Sequence, residues 1–322
     1  MPATALIADI GGTNARFGIV DGGGTHDLMY LSCADYDGPA EAAQHYMEKI
    51  GLRTRPVVGV MAVAGPVQDD LINFTNLHWS FRQSRLQADL HLQSLSVMND
   101  FKAVALAIPH IDPALLHKIG GGTPVAQGAI GVIGPGTGLG VASLIWGGEH
   151  YIAQAGEGGH VTMPPVNQRE YAIFQQLRVK YHHISAERVC SGKGLENLYN
   201  AIRVLDGKLD KPDLEAPEIS ARATAGSCEI CRECLALMLR FLGRISGNLA
   251  LTLGALGGVY VAGGIPSRLG ESFNTSEFLE EFQAKGRQRD YMSGIPVYMI
   301  HHDAIGLLGL EQEAQRVLAS LG

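Results

Sequence analysis

Two glycine-rich turns, each lying between two apolar runs, constrain the fold of this sequence more than any other feature. The first lies in LIADIGGTNARFGIV, residues 6–20, and the second in IGVIGPGTGLGVASLIW, residues 130–146. Short apolar runs bounded by turn residues are typical of buried strands. The sequence therefore predicts two strand–turn–strand units, with strands at 6–9, 17–20, 130–134 and 139–146.

The rest of the chain alternates between strand and helix patterns, which indicates an α/β fold. Because the two turns look like equivalent openings of two related halves, we expect a small lobe at 1–110 and a large lobe at 111–300. A closing helix at about 301–322 is expected to return to the small lobe. The other predicted strands are 57–64, 95–98, 259–262 and 297–300, and the predicted helices are 41–52, 101–108, 169–181, 195–205 and 228–255.

Charge and cysteine content exclude several classes of protein. The net charge is −7, from 25 basic and 32 acidic residues, and there is no basic tract of the kind that nucleic-acid binders carry. Five cysteines without an N-terminal signal peptide indicate a reducing compartment, so we expect a cytoplasmic protein. The uncharged stretches 125–148 and 245–267 are interrupted by glycine, proline or asparagine, which favours buried elements over membrane spans.

Glycine-rich turns after strands commonly bind phosphate, because backbone N–H groups close on it where Cβ is missing. Two common phosphate motifs do not fit. SGKGL at 191–195 lacks the spacing and the hydroxyl of a P-loop, and GGTNAR at 11–16 leads into an apolar strand instead of a helix. The turn at 11–16 is therefore expected to join two strands and to form one half of a phosphate clamp.

This pair of turns resembles the sugar kinase, heat-shock protein and actin superfamily. The resemblance implies a two-lobed actin-like ATPase (ribonuclease H-like) fold, with the active site in the interlobe cleft and ATP as a substrate. Asp9 would hold the water shell of Mg²⁺, and VYVAGGIPSRL from Val259 would be the adenosine loop. The residues implied in ATP binding are Ala8, Asp9, Ile10, Gly11, Gly12, Thr13, Gly136, Thr137, Gly138, Gly263 and Gly264.

Three further segments carry paired carboxylate, amide and imidazole groups, which suit the adjacent hydroxyls of a sugar. They are NDF with Asn99 and Asp100, GEGGH with Glu157 and His160, and SAERV with Glu187. Each has a structural alternative. Asp100 could be a helix N-cap, His160 a satisfied turn histidine, and Glu187 an ordinary acid in the first turn of a helix.

Taken together, the motifs are similar to those of bacterial glucokinases that lack a zinc-binding cysteine cluster. The matching stretches are ADIGGTNAR, NDF.AVA.AIP, G.GTGLGVA, GEGGHV, SAERV.SG.GL.NLY, GRISGNLAL and GGVYVAGGI. The resemblance implies that Asn99, Asp100, Glu157, His160 and Glu187 contact glucose, with Gly65 and Pro66 lining the pocket. It also implies a homodimer, with Asp100 as the catalytic base for the 6-hydroxyl of glucose and glycolysis as the route that the product enters.

Two other functions share most of these motifs. One is a kinase for another hexose, such as fructose or N-acetylmannosamine, and the other is a non-catalytic sugar sensor on the same fold. Glu157, His160 and Glu187 together favour glucose. A repressor of this fold would carry an N-terminal helix-turn-helix, whereas this chain reaches its phosphate strand within five residues.

Cys228, Cys231 and Cys234 have C-x2-C-x2-C spacing, which invites a zinc interpretation. On a regular helix these positions fan apart, and the third is drawn away from a compact tetrahedral site. We therefore predict that they are ordinary helical cysteines, that the purified protein carries no stoichiometric zinc, and that Cys228→Ser and Cys231→Ser retain activity.

Overall fold

A computed structural model of the chain describes residues 3–52, 54–74, 77–273, 275–302 and 304–321. Contacts divide the chain into two units. Unit 1 comprises residues 1–111 and 304–322, and unit 2 comprises residues 112–303. Positions 303 and 322 of the predicted closing helix lie outside the described residues.

Unit 1 is built on a five-stranded sheet of order β3-β2-β1-β4-β7. The hairpin β1–β2 is antiparallel, whereas β1, β4 and β7 run parallel to one another. Apolar side chains of β1 and β4 are fully buried, as their continuous apolar sequence predicts. The elements are β1 Ala5–Ile10, β2 Asn14–Asp21, β3 Gly24–Ser32, α1 Pro39–Lys49, β4 Val58–Val63, β5 Leu71–Asn73, β6 Ser80–Arg82, α2 Gln83–Asp89, β7 Ser94–Asn99 and α3 Asp100–Ala107.

Unit 2 is built on a six-stranded sheet of order β11-β10-β9-β12-β13-β8. Its first five strands repeat the arrangement of unit 1, an antiparallel three-stranded meander followed by two parallel strands. The two glycine-rich turns join equivalent antiparallel strand pairs in the two sheets, β1–β2 and β9–β10. The elements are β8 Leu116–Gly120, β9 Ile130–Pro135, β10 Leu139–Trp146, β11 Tyr151–Gly156, α4 Gln168–Arg178, α5 Gly192–Leu205, α6 Ala216–Thr224, α7 Glu229–Leu253, β12 Gly258–Val261, α8 Gly264–Leu269, α9 Thr275–Gln283, α10 Arg289–Gly294 and β13 Val297–Ile300.

The last helix, α11 Ile305–Leu321, packs in unit 1 against α3, β1 and β4. Its approach to α3 is very close, because a Cβ added at Gly309 would lie 1.8 Å from the carbonyl oxygen of Ala103. Leu307, Leu310 and Ala314 are buried in the same cluster as Ile7 and Val60. The helix that carries Asp100 is therefore held in place by residues about 200 positions later in the chain.

One helix of the described residues, α7, is long and apolar enough to cross a membrane. Most of that helix is buried inside unit 2, where Leu242, Phe241 and Met238 belong to the hydrophobic core. Burial on this scale is what the core helix of a soluble protein shows.

Candidate active site

In unit 1, three strand ends bring the predicted phosphate and sugar segments together. The parallel register aligns Ile10 with Val63 and Val63 with Asn99, so the carboxyl ends of β1, β4 and β7 form one edge of the sheet. The Asn99 side-chain amide donates to the carbonyl oxygen of Gly65 at 3.1 Å. The glycine turn, Gly65 and Asp100 therefore follow neighbouring strands, at the edge where open α/β sheets bind ligands.

Asn99 and Asp100 have separate structural roles. Asn99 is the N-cap of α3, and its side-chain oxygen accepts from the backbone N–H groups of Phe101 at 2.9 Å and Lys102 at 3.2 Å. Asp100 is the first helical residue, and its carboxylate accepts from Phe101 N–H at 2.9 Å. The alternative in which Asp100 caps the helix is wrong, because Asn99 does so. The positive end of α3 favours a charged carboxylate at Asp100.

Asp9 forms an ion pair that the sequence analysis did not anticipate. Register pairs Asp9 with Arg16 across the β1–β2 hairpin, and Arg16 Nη1 lies 3.2 Å from Asp9 Oδ2. Burial raises the pKa of Asp9, and the charge and hydrogen bond of Arg16 only partly counteract this effect. A buried carboxylate whose negative charge is only partly compensated by its neighbours is suited to a site next to a cation.

The turn itself presents backbone and one hydroxyl to solvent. Gly11 N–H donates to the carbonyl oxygen of Asn14 at 3.0 Å, which closes the hairpin and leaves Gly12 and Thr13 exposed. Ala8 and Ile10 differ from this pattern, since their side chains are fully buried in the core of unit 1. Only the main chain of these two residues is therefore available to a ligand.

In unit 2, Glu187 connects the second glycine-rich turn to the GEGGH segment. Its carboxylate accepts from the backbone N–H of Leu139 at 3.1 Å, directly after Gly138. The backbone N–H of Glu187 donates to the carbonyl oxygen of Gly159 at 2.9 Å. Glu187 lies in a turn five residues before α5 begins at Gly192, so the alternative of an acid in the first turn of that helix is wrong.

The GEGGH segment forms a short 3₁₀ turn against β10. Gly159 approaches so closely that a Cβ there would lie 2.1 Å from the carbonyl oxygen of Leu139. Glu157 Oε2 and His160 Nε2 are 3.7 Å apart, and both side chains are more than half exposed. His160 is therefore not a buried histidine that serves only the core, and both polar groups are open to a ligand.

The remaining glycine positions differ in what the fold requires. Gly263 has a φ of +92°, and a Cβ there would lie 2.7 Å from the carbonyl oxygen of Pro135, so the fold itself requires glycine. At Gly136 a Cβ would meet no atom within 4 Å. The backbone at Gly136 is thus open on the side that a Cβ would fill, which fits the close approach of a phosphate. Gly264 begins α8 directly after Gly263.

A buried charge network supports the loop that follows His160. Arg244 of α7 binds Glu170 with both guanidinium ends, at 2.8 and 3.1 Å, and also contacts Glu281 at 3.0 Å. Glu170 is fully buried, and Arg244 donates to the carbonyl oxygen of Pro164 at 3.1 Å. Sequence reasoning missed this network, whose only trace is the arginine of the GRISGNLAL motif.

Lys285 extends this network and predicts a pH-dependent stability. Its ammonium donates to the carbonyl oxygen of Arg244 at 3.0 Å. Burial, together with the charge of Arg244, lowers the pKa of Lys285 to about 8, although Glu281 acts in the opposite direction. The unfolded chain then binds more protons than the folded chain between pH 8 and the ordinary lysine pKa of 10.5, so this residue makes stability rise with pH there.

We therefore expect the unfolding free energy of the wild type to rise, relative to that of Lys285→Met, between pH 8 and pH 10. Urea titrations of both proteins at several pH values measure this difference. A matched control is Lys193→Met, which removes an exposed lysine paired with Glu196. A difference that is flat with pH would contradict the lowered pKa of Lys285.

Comparison with known proteins agrees with this geometry. A profile of the glucokinase family matches residues 6–317. Glucokinase from Nitrobacter hamburgensis is 43% identical over 310 residues, covering 96% of this chain and 97% of the relative. A crystal structure of glucokinase from an Antarctic psychrotroph superimposes with a TM-score of 0.87 at 33% identity, covering 98% and 100% of the two chains. Glucokinase from Balamuthia mandrillaris in complex with glucose has a TM-score of 0.81 at 21% identity, covering 98% and 94%.

The two matching sheets, their glycine-rich turns and these neighbours define a sugar kinase of the actin-like ATPase fold, which confirms the predicted fold class. Within that class the chain belongs to the glucokinase family, and its activity is the ATP-dependent phosphorylation of glucose.

Proposed function

We propose that this chain transfers the γ-phosphoryl group of ATP to the 6-hydroxyl of D-glucose, with Asp100 as the catalytic base. The assignment rests on one observation, which is that Asn99 and Asp100 have separate roles at the start of α3. Since Asn99 caps the helix, capping does not explain an acid at Asp100, which follows β7 at the ligand-binding edge of unit 1.

In this proposal Asp100 orients the hydroxyl before it accepts the proton. A carboxylate at a helix N-terminus is a weak base. That is sufficient, because phosphoryl transfer through a loose transition state depends on early positioning and removes the proton late.

The hydroxyls of glucose would be held by carboxylate, amide and imidazole side chains. We assign contacts to Asn99, Glu157, His160 and Glu187, and the pocket edge to Gly65 and Pro66. Two observations support this assignment. Glu157 and His160 are exposed, and Glu187 accepts a hydrogen bond from Leu139, directly after the second glycine-rich turn. The single cleft predicted between the two lobes stays a prediction.

The triphosphate would be bound by backbone N–H groups and hydroxyls of the two glycine-rich turns, at 11–13 and 136–138. The open backbone at Gly136 supports this, and Gly263 and Gly264 would lie against the adenosine. Among the described residues, no group of three or more acidic, histidine or cysteine side chains is placed to hold a metal ion. A Mg²⁺ ion carried by the nucleotide fits this donor set, with Asp9 holding its water shell and the ion neutralising charge on the phosphates.

We further propose a cytoplasmic homodimer that supplies glucose 6-phosphate to glycolysis and binds neither nucleic acid nor membrane. The excess of acidic over basic residues supports the last two points. Sedimentation velocity over a range of protein concentrations tests the dimer.

A coupled assay over a panel of hexoses, with ATP, GTP and polyphosphate as donors, tests the proposed reaction. Glucose with ATP and Mg²⁺ is expected to give the highest kcat/KM. A higher kcat/KM for fructose or N-acetylmannosamine would favour the other hexose kinases, and no turnover with any sugar despite binding would favour a sensor.

Glu157→Gln and Glu187→Gln are a matched pair of variants. Together they distinguish an effect on sugar binding from an effect on the phosphate-binding turn. Each loses a charged hydrogen bond to glucose, worth roughly 1.5–3 kcal/mol, so kcat/KM for glucose is expected to fall about 10- to 200-fold in both. Only Glu187 also accepts from Leu139 N–H. The KM for ATP should therefore rise several-fold in Glu187→Gln and stay unchanged in Glu157→Gln.

Steady-state kinetics with each substrate varied in turn measure both effects. A raised KM for ATP in Glu157→Gln, with an unchanged KM for glucose, would place Glu157 on the nucleotide instead of the sugar.

A further inference from the structure

The start of α7 carries a pair of cysteines that the reaction with glucose does not use. Cys228 is the N-cap of the helix, with extended φ and ψ of −142° and 118°, and Cys231 follows within the first turn. Of the five cysteines, all within the described residues, Cys228 alone is partly exposed and the other four are buried. The residues immediately before it, 224–227, are exposed to solvent.

Capping brings the two thiols together. The backbone N–H of Cys231 donates to Cys228 Sγ at 3.4 Å, so the Cys228 side chain lies over the first turn, on the same side as Cys231. Within a regular helix, side chains three residues apart have Cβ atoms about 5–6 Å apart. A disulfide needs a Cβ separation of roughly 3.5–4.5 Å. The extended backbone of the N-cap folds the Cys228 side chain back over the first turn, which is the direction that such a bond requires.

The two thiols differ in chemical character. Burial by itself raises the pKa of Cys228, but hydrogen bonds from Cys231 and the backbone N–H of Ile230, with the Arg222 charge, outweigh it and lower the pKa. Burial, the hydrogen bond to Cys228 and the charge of Cys228 raise the pKa of Cys231. Cys228 is thus the more acidic and the more accessible of the two thiols, and Cys231 is the protected one.

We propose that Cys228 and Cys231 are a redox-active dithiol that low-molecular-weight disulfides convert to an intramolecular disulfide. The Cys228 thiolate attacks one sulfur of the oxidant RSSR, which forms a mixed disulfide and releases RS⁻. Cys231 then loses its proton to solvent and attacks Cys228 Sγ, which expels the second RS⁻. Two protein thiols are oxidised, one RSSR is reduced, and two RSH are formed after protonation.

Cys234 provides an internal control for this assignment. It is fully buried one turn further along α7, and burial raises the pKa of its thiol. Cys231 and Cys234 are both inside the regular helix, where the side-chain separation is unfavourable for a disulfide. Oxidation is therefore directed to the pair Cys228 and Cys231.

The test treats the folded, reduced protein with oxidised glutathione, blocks the remaining thiols with N-ethylmaleimide and maps the peptides by mass spectrometry. The wild type and Cys234→Ser should form a Cys228–Cys231 disulfide that dithiothreitol reverses. Cys231→Ser should retain glutathione on Cys228, and Cys228→Ser should leave Cys231 reduced.

Alkylation of the native reduced protein by iodoacetamide provides a second measurement. Cys228 should react at least about tenfold faster than Cys231 or Cys234. A wild type that stops at the mixed disulfide, a disulfide to Cys234, or a Cys228 that reacts no faster than the buried thiols would each overturn the proposal. Melting temperatures of the variants, matched to the wild type, show that these results come from folded protein.

Discussion

Asp100→Asn is expected to give a folded protein that binds glucose and ATP but turns over glucose 10²–10⁴ times more slowly, the range for loss of a general base. Asparagine keeps the shape of the side chain and one acceptor for Phe101 N–H. It removes the negative charge and the proton acceptor. Because Asn99 caps α3, the loss of the negative charge at the helix end is expected to cost about 0.3–1 kcal/mol.

Melting temperature, glucose titration and turnover on one preparation separate these quantities. Asp112→Asn is a matched control, since Asp112 is an exposed cap that accepts from Ala114 N–H at 2.9 Å. It should behave as the wild type in all three measurements. An Asp100→Asn protein that keeps more than about a tenth of the wild-type kcat would remove Asp100 from the role of base.

Arg244→Met is expected to reduce the unfolding free energy by about 3–5 kcal/mol, the usual cost of removing one partner from a buried ion pair. Methionine fills part of the space but leaves Glu170, which is fully buried, and Glu281 without their shared cation. The carbonyl oxygen of Pro164 also loses a donor. The KM for glucose should rise as well, because the loop after His160 is no longer held.

Urea unfolding of Arg244→Met beside Arg240→Met tests this prediction. Arg240 lies one turn earlier on α7 and pairs with Glu277, but both side chains are about one-third exposed. Its loss should cost no more than about 1 kcal/mol. Equal losses in the two variants would show that burial does not distinguish the two ion pairs.

The strands that the sequence predicted best are those formed by continuous apolar runs. β9 and β10 lie within one residue of their predicted bounds, and β13 matches. β3 was missed because it is an edge strand whose side chains are largely exposed. Its sequence therefore lacks the alternation of apolar and polar residues that marks a strand with one buried face. β11 alternates between exposed and half-buried residues, but it was missed because its sequence, YIAQAG, does not alternate between polar and apolar residues, and the exposed Ile152 is apolar.

The limits of prediction at the site have a similar physical cause. Local motifs indicated Asn99, Glu157 and Glu187, because each lies beside a turn. Arg16, Arg244 and Glu170 were not anticipated, since their partners are set by strand register or by residues 74 positions apart. Sequence spacing also left open whether Asp100 caps α3, and only the backbone hydrogen bonds assign the cap to Asn99.

The return of α11 to unit 1 has a consequence for how the chain folds during synthesis. A ribosome that adds 5–20 residues per second makes α3 roughly 10–40 s before it makes α11, because unit 2 lies between them in the chain. During that interval the face of α3 that Gly309 later covers has no partner from α11. Unit 2 is continuous in sequence and can complete its core first, whereas the apolar cluster beside α3 is complete only once α11 has been made.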